Sequence, residues 1–278
     1  MIRRLIIGML ALATAVALAG CGDQDGGEAT DDPATTTTTA APSHTYANGP
    51  EDVVLDVFTG GGYTPLEYQF ALRPVVRVMG DGRVFLSAAD DDGWNTNLRG
   101  VREYAATPAQ IQQILALADA AGLLGPAPDY EMAGGVMVTD MPTTTVTVNA
   151  DDDTYSHAAY ALGFGEGQTP AREALSTFIG DVVDLVADGE ATPYEPTSLQ
   201  IYVSSAEFFD AGDDSQMQPW PGPDLAGVQG CEEIAAEPEV VRALTDNPSS
   251  TLFTQGAEVY RVTGAMLLPG EQACVGWE

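Results

Sequence analysis

The reactive residues of this chain, and the distances between them, narrow the chemistry open to it. Its 278 residues carry 41 Asp and Glu against 10 Arg, with no Lys, two His and three Cys. Without a lysine amine there is no Walker-type phosphate loop, no Schiff-base chemistry and no kinase-like site. Ser156 stands beside His157 in sequence, but neighbours on a strand point to opposite faces. No Gly-x-Ser-x-Gly turn occurs either. The expectation for His157 is a surface or hydrogen-bonded strand histidine. The runs Asp90–Asp92, Asp151–Asp153 and Asp213–Asp214 offer the hard oxygens that calcium takes. None has the spacing of a calcium loop, so they are expected to be solvated turns, with no metal. Gly60-Gly61-Gly62 could cradle an anion on its amides, but a net charge of −31 disfavours such a ligand. A tight turn or a bulge is the expected use. Paired carboxylates for glycoside hydrolysis can lie far apart in sequence, and with so many acids the residue types single out no pair. Trp94 and Trp220 remain as candidate ligand-contacting residues. Trp220 sits among Pro219, Pro221 and Pro223. An aromatic in such a loop either anchors an interface or folds back as a lid on the core, and the lid is the favoured reading. No cofactor is implied.

The charge also limits the partners. Nucleic-acid binding needs clustered Lys and Arg to neutralise phosphates, so no nucleic acid is expected. Adsorption to an anionic lipid surface is disfavoured for the same reason. A hydrophobic content of 45% is normal for a globular domain and excludes wholesale disorder.

The N-terminus reads as an address. Arg3 and Arg4 precede an apolar run from Leu5 to Ala17 and a stretch of small residues, the pattern of a secretory signal at residues 1–20. The run is shorter than the roughly 20 apolar residues of a spanning helix. Leu18-Ala19-Gly20-Cys21 resembles the lipobox of bacterial lipoprotein precursors. That resemblance implies a diacylglyceryl thioether on Cys21 and cleavage before it. The chain would then be held to the cell membrane by lipid on its extracytoplasmic face, since two acyl chains anchor stably. Residues 21–50 follow as a Thr/Ala/Asp-rich tether. Residues 22–50 contain no Val, Ile, Leu, Met, Phe or Trp, so composition predicts disorder there. As a coil the tether would span about 30 Å. Its Thr35–Thr39 run resembles an O-glycosylated stalk, with an unmodified spacer as the equal alternative. With Cys21 lipidated, Cys231 and Cys274 remain, and an even pair in an exported protein reads as a disulfide. Closing a loop of about 40 residues would stabilise by about 4 kcal/mol before strain. One histidine and two thiols do not make a zinc site.

The elements that would position these residues are α+β: a mainly antiparallel sheet with two amphipathic helices in residues 51–190, then a disulfide-closed α+β segment in 191–278. Strands are expected at Asp52–Phe58, at Pro74–Met79 and Arg83–Ser87 around Gly80-Asp81-Gly82, and at Thr143–Asn149 and Thr154–Tyr160 around Asp151–Asp153. Thr64 and Glu67 match a short capping box. A helix over 107–121 begins at Thr107-Pro108 with Gln110 completing its box, and Ile111, Ile114, Leu115 and Ala118 share its inner face. A second helix begins at Thr169-Pro170, turns Leu175, Phe178, Ile179, Val182 and Leu185 inward, and stops at Gly189. Residues 191–196 read as a junction. Beyond it come strands at Leu199–Val203, Thr251–Thr254 and Glu258–Thr263 and a helix near Pro238–Leu244.

Over residues 52–186 the Gly-Gly-Gly-Tyr segment at 60–63, the Gly80-Asp81-Gly82-Arg83-Val84 hairpin, the first helix and the stretch Val138–Val146 resemble exported actinobacterial proteins of unknown function. That resemblance brings no catalytic residues. The reading that results is a lipid-anchored extracytoplasmic protein that binds or interacts at the cell envelope, with an envelope protein as partner. Its loops at 90–97 and 211–224 would be the contact regions. The alternative is a hydrolase of envelope polymers using remote Asp and Glu carboxylates.

Overall fold

Apolar residues recurring at strand period build the first of two sheets. The computed structural model describes residues 43–88, 96–206, 217–228 and 230–277, all within one unit of the chain. In chain order the first sheet comprises β1 (Val53–Gly60), β2 (Val76–Met79), β3 (Arg83–Ser87), β4 (Val101–Ala105), β5 (Thr143–Ala150), β6 (Asp153–Tyr160) and β7 (Thr192–Pro193). They lie in the order β6-β5-β1-β2-β3-β4-β7, and every pairing is antiparallel. The second sheet holds β8 (Ser198–Ser205), β9 (Met217–Pro219), β10 (Gly230–Ala235), β11 (Leu252–Gln255) and β12 (Glu258–Met266), in the order β10-β8-β12-β11-β9. Its single parallel pair is β9 with β11. Among the described residues four α-helices accompany the sheets: α1 (Leu66–Phe70), α2 (Pro108–Ala120), α3 (Pro170–Ala187) and α4 (Pro238–Thr245). The fold is α+β, as the sequence predicts.

The first sheet packs on helices with one face and, over β1 to β4, on the second sheet with the other, while the outer face of β6 is exposed. On β3, Val84 and Leu86 join a core with Ile111, Ile114 and Leu115 of α2 and Leu175, Phe178 and Val182 of α3. Phe85 between them turns the other way, into a second core with Leu199, Ile201 and Val203 of β8 and Phe253 and Val262 of the second sheet. A register shift between Val53 and Leu55 lets both Val54 and Leu55 enter the first core while Val53 packs on the second.

Local chemistry sets the element ends. Thr107 and Gln110 form a reciprocal capping box on α2, behind Pro108. Thr169 caps α3 through the Arg172 amide. Gly82 closes the β2–β3 hairpin at φ +95°, and a Cβ there would meet the Ala106 carbonyl at 2.5 Å. Asp151 and Asp152, both at positive φ, form the two-residue turn between β5 and β6, a conformation Asp tolerates better than most. The expected box at Thr64 does not form. The single turn of α1 starts after Pro65 with no side-chain cap, and Thr64 Oγ1 is buried without a partner.

Three features lie beyond the periodicity argument. The junction at 191–196 contributes β7, which pairs with β4 at the sheet edge. Strand β10 carries Cys231 and pairs with β8. Residues 43–50, assigned to the tether by composition, are seated on the fold. The His44 backbone exchanges two hydrogen bonds with the Gln112 side chain, at 3.0 and 2.7 Å. The Asp151 carboxylate takes the His44 ring at 2.7 Å and the Thr45 amide at 2.8 Å. This segment is held by hydrogen bonds more than by apolar burial, which is why composition misses it. Among the described residues no helix is long and apolar enough to cross a membrane.

Candidate interaction surface

Strand β6 pairs His157 with Val146 of β5, which turns the ring inward while Ser156 faces out to solvent. The imidazole is fully buried. Its Nε2 lies 3.0 Å from the Leu123 carbonyl oxygen, and its Nδ1 lies 2.9 Å from the Tyr130 hydroxyl. A carbonyl only accepts, so Nε2 carries the proton and Nδ1 of the neutral ring accepts from Tyr130. Burial pushes the Tyr130 phenol above its usual range. One turn into α3, the Arg172 guanidinium is also fully buried. Its Nη1 donates to the carbonyls of Tyr130 (2.9 Å) and Tyr160 (3.0 Å), and its Nη2 donates to that of Ala161 (2.6 Å). These two side chains tie the segment after α2 to the end of β6. They act as positioning groups: His157 has both ring nitrogens engaged, and Arg172 is enclosed by backbone oxygens.

The loop so held exposes apolar side chains. Met137 is 93% exposed and Tyr63, on the neighbouring loop, 89%. The Tyr160 hydroxyl accepts from the Met141 amide at 3.0 Å and donates to the Val138 carbonyl at 3.3 Å, so the ring braces the loop from beneath. The Tyr63 amide donates to the Asp140 carbonyl at 3.3 Å. Gly62, at φ +79°, lies so close that a Cβ would meet that same oxygen at 2.8 Å. The Gly60–Gly62 run thus serves a tight turn that brings Tyr63 to the loop. A groove of about 520 Å³ is lined by Met132, Val136, Met137, Val138 and Tyr160. Two charged residues, Glu131 and Arg172, also line it.

The seated N-terminal segment lies at the other end of the same strands. Gly60 pairs with Thr143, and Thr143 with Tyr160, at the groove end. Asp151 and its partners His44 and Thr45 lie beyond Ala150. The eight residues of β5 separate the two ends, about 25 Å at the rise of an extended strand. The His44 hydrogen bond, followed by that of the Thr45 amide, holds the Asp151 carboxyl below its usual pKa.

The residues singled out by sequence fall elsewhere. Trp220 is 6% exposed. It stacks edge-on against Phe253 at 5.2 Å and donates its indole N–H to the Pro223 carbonyl at 2.9 Å. It is the lid on the second core, and the ring does not offer an interface anchor. Cys231 and Cys274 are joined, with Cα atoms 5.5 Å apart. Cys21, Trp94, Asp90–Asp92 and Asp213–Asp214 lie outside the described residues, as do most of the 90–97 loop and residues 211–216. The run Asp151–Asp153 contributes a turn and a seat for the tail. Among the described residues no group of three or more His, Cys, Asp or Glu is placed to hold a metal. Tyr63, Met137 and Tyr160 escape sequence reasoning because exposed and buried apolar residues look alike in a loop without periodicity. The signal that was available is Met137 directly after Gly134-Gly135-Val136, an apolar run in a segment too rich in glycine to be a core element. No protein family, no curated protein and no solved structure matches the chain.

Proposed function

We propose that this is a lipid-anchored extracytoplasmic protein of the cell envelope that holds a protein partner on the apolar surface around Met137 and Tyr63. The observation that carries this reading is the polarity of the β1-β5-β6 strands. Exposed apolar side chains stand at one end, and the chain enters the fold at the other. Lipid on Cys21 would tether the domain by its entry end, the end remote from the groove. Contiguous exposed apolar surface with a polar rim is the usual mark of a protein contact. The chain's net charge of −31 fits a partner that is apolar with flanking basic residues. The Cys231–Cys274 disulfide suits an oxidising compartment outside the cytoplasm.

The test is in-cell crosslinking of the mature, anchored protein through a photoreactive residue at position 137. The expected result is near-stoichiometric capture of one protein, lost when Tyr63→Asp is introduced. Met137→Asp, without the crosslinker, should lower co-purification of the same protein and leave the thermal midpoint within a few degrees, as surface substitutions usually do. Capture that ignores both substitutions, or no capture above background, overturns the reading. Cys21→Ser should release the chain from the membrane fraction, and its retention there would overturn the anchoring.

A further inference from the structure

A second cavity lies on the far face of β8. Leu199, Ile201 and Val203 enter the second core, so Gln200 and Tyr202, one residue out of phase, face the other way. That face is covered by α1 and by the C-terminal segment 267–277. The disulfide fastens this segment to β10, and the Cys274 amide donates to Gln200 Oε1 at 2.9 Å. The cavity measures about 420 Å³ and includes Phe58, Phe70, Arg77, Gln200, Glu271 and Trp277 in its wall, a size within the range of small-molecule sites. Phe70 meets the Trp277 ring edge-on at 5.1 Å.

Arg73, Arg77 and Glu271 line the cavity, and Asp56, which pairs with Arg77 outside the lining, completes the balance of charge. Arg77 donates to Asp56 at 2.7 Å and to Glu271 at 2.8 Å, and Arg73 donates to Glu271 at 3.1 Å. The two guanidiniums respond differently to their setting. Burial, only partly offset by Glu271, lowers the pKa of Arg73, whereas for Arg77 two carboxylates outweigh burial and raise it. Both carboxylates serve as counter-ions, which leaves neither placed as a free acid or base for hydrolysis. A small anion would have to displace them from their arginines. What the wall leaves unsatisfied is donors. Gln200 is 7% exposed. The Cys274 amide contacts its oxygen, and among the described residues its Nε2 has no protein acceptor. Among the same residues the Arg77 Nη2 has none either. An apolar ligand would bury these donors unpaired, which is unfavourable.

From the half-buried Trp277 ring, unpaired amide and guanidinium donors and a balanced charge, we infer that this cavity binds a saccharide. One apolar C–H face of the sugar ring packs on Trp277, which the buried Phe70 holds edge-on from behind. Its hydroxyl and ring oxygens accept from Gln200 Nε2 and Arg77 Nη2. The site is independent of the Met137 surface, and either can fail without the other.

The experiment uses the mature chain with its disulfide intact. Galactose, arabinose, N-acetylglucosamine and cellobiose are each added to about 10 mM, tenfold above a millimolar dissociation constant. Proton–nitrogen spectra report the Gln200 side-chain amide and the Trp277 indole. The expected result is a saturable shift of both signals by at least one sugar. Gln200→Glu keeps an oxygen for the Cys274 amide but removes the donor, and should weaken binding about tenfold. Trp277→Ala should weaken it at least as much. The inference is overturned if none of the four sugars moves either signal, if binding survives both substitutions, or if acetate alone produces the same shifts, which would mark a carboxylate site.

Discussion

At the scale of single residues, the buried polar side chains place the exposed ones. Among the described residues Arg172 has no carboxylate paired with it. Its charge rests on three carbonyl oxygens, and charge-assisted hydrogen bonds of this kind are among the stronger ones. Arg172→Met keeps the bulk and leaves those oxygens unpaired. It should cost about 3 kcal/mol, read as a lower urea midpoint with an unchanged slope, and should raise amide exchange in residues 130–138. Asp151 predicts a response to pH. Its folded pKa lies below its ordinary 3.8, so the seat of the N-terminal segment contributes fully above the ordinary carboxylate range. That contribution is lost as pH falls through the folded value. Protection of the Thr45 amide, taken relative to its intrinsic exchange rate, should therefore be full at neutral pH and fall as pH drops below the ordinary carboxylate range, and Asp151→Asn should leave it low throughout.

At the scale of elements, β8 joins several parts of the fold. It pairs with β10 and β12, gives alternate residues to the second core, and holds the C-terminal segment through Gln200. The disulfide joins that segment to the neighbouring strand. Replacing both cysteines by alanine should lower stability by up to about 4 kcal/mol, the loop-entropy value before strain. The loss of protection should concentrate in residues 268–277, which protease sensitivity would detect. The legible elements were those with local signals. The α2 box at Thr107 and Gln110, the Gly80–Gly82 hairpin and the Asp151-Asp152 turn each carry their geometry in adjacent residues. Strand β10, with Cys231-Glu232-Glu233 at its centre, has no such pattern. Only its partner β8 makes it a strand, because the ladder satisfies its backbone whatever its side chains are.

At the scale of the whole molecule, net charge works against compactness. A balance of −31 repels itself, and salt screens that repulsion over about 10 Å at 0.1 M. The thermal midpoint should rise between low and moderate sodium chloride. A fall would mean that the ion pairs of Arg73, Arg77 and Arg83 outweigh the general repulsion. The first sheet is covered by helices on one face and, over β1 to β4, by the second sheet on the other, and its strand ends carry exposed loops. That arrangement puts the tail and the Met137 groove at opposite ends.

The sequence by itself determined the fold class, the two capped helices, the hairpin turns and the pairing of the last two cysteines. Each depends on neighbours along the chain or on counting residue types. The tertiary structure decided the rest. It turned Trp220 inward, seated residues 43–50 on the Asp151 turn, and enclosed His157 and Arg172. It gathered Tyr63, Met137 and Tyr160 at one end, and it brought Gln200, Arg77, Glu271 and Trp277 around one cavity. These groups come from distant parts of the chain. Their meeting follows from the order and register of strands, which long-range backbone pairing and core burial select together and which no local pattern encodes.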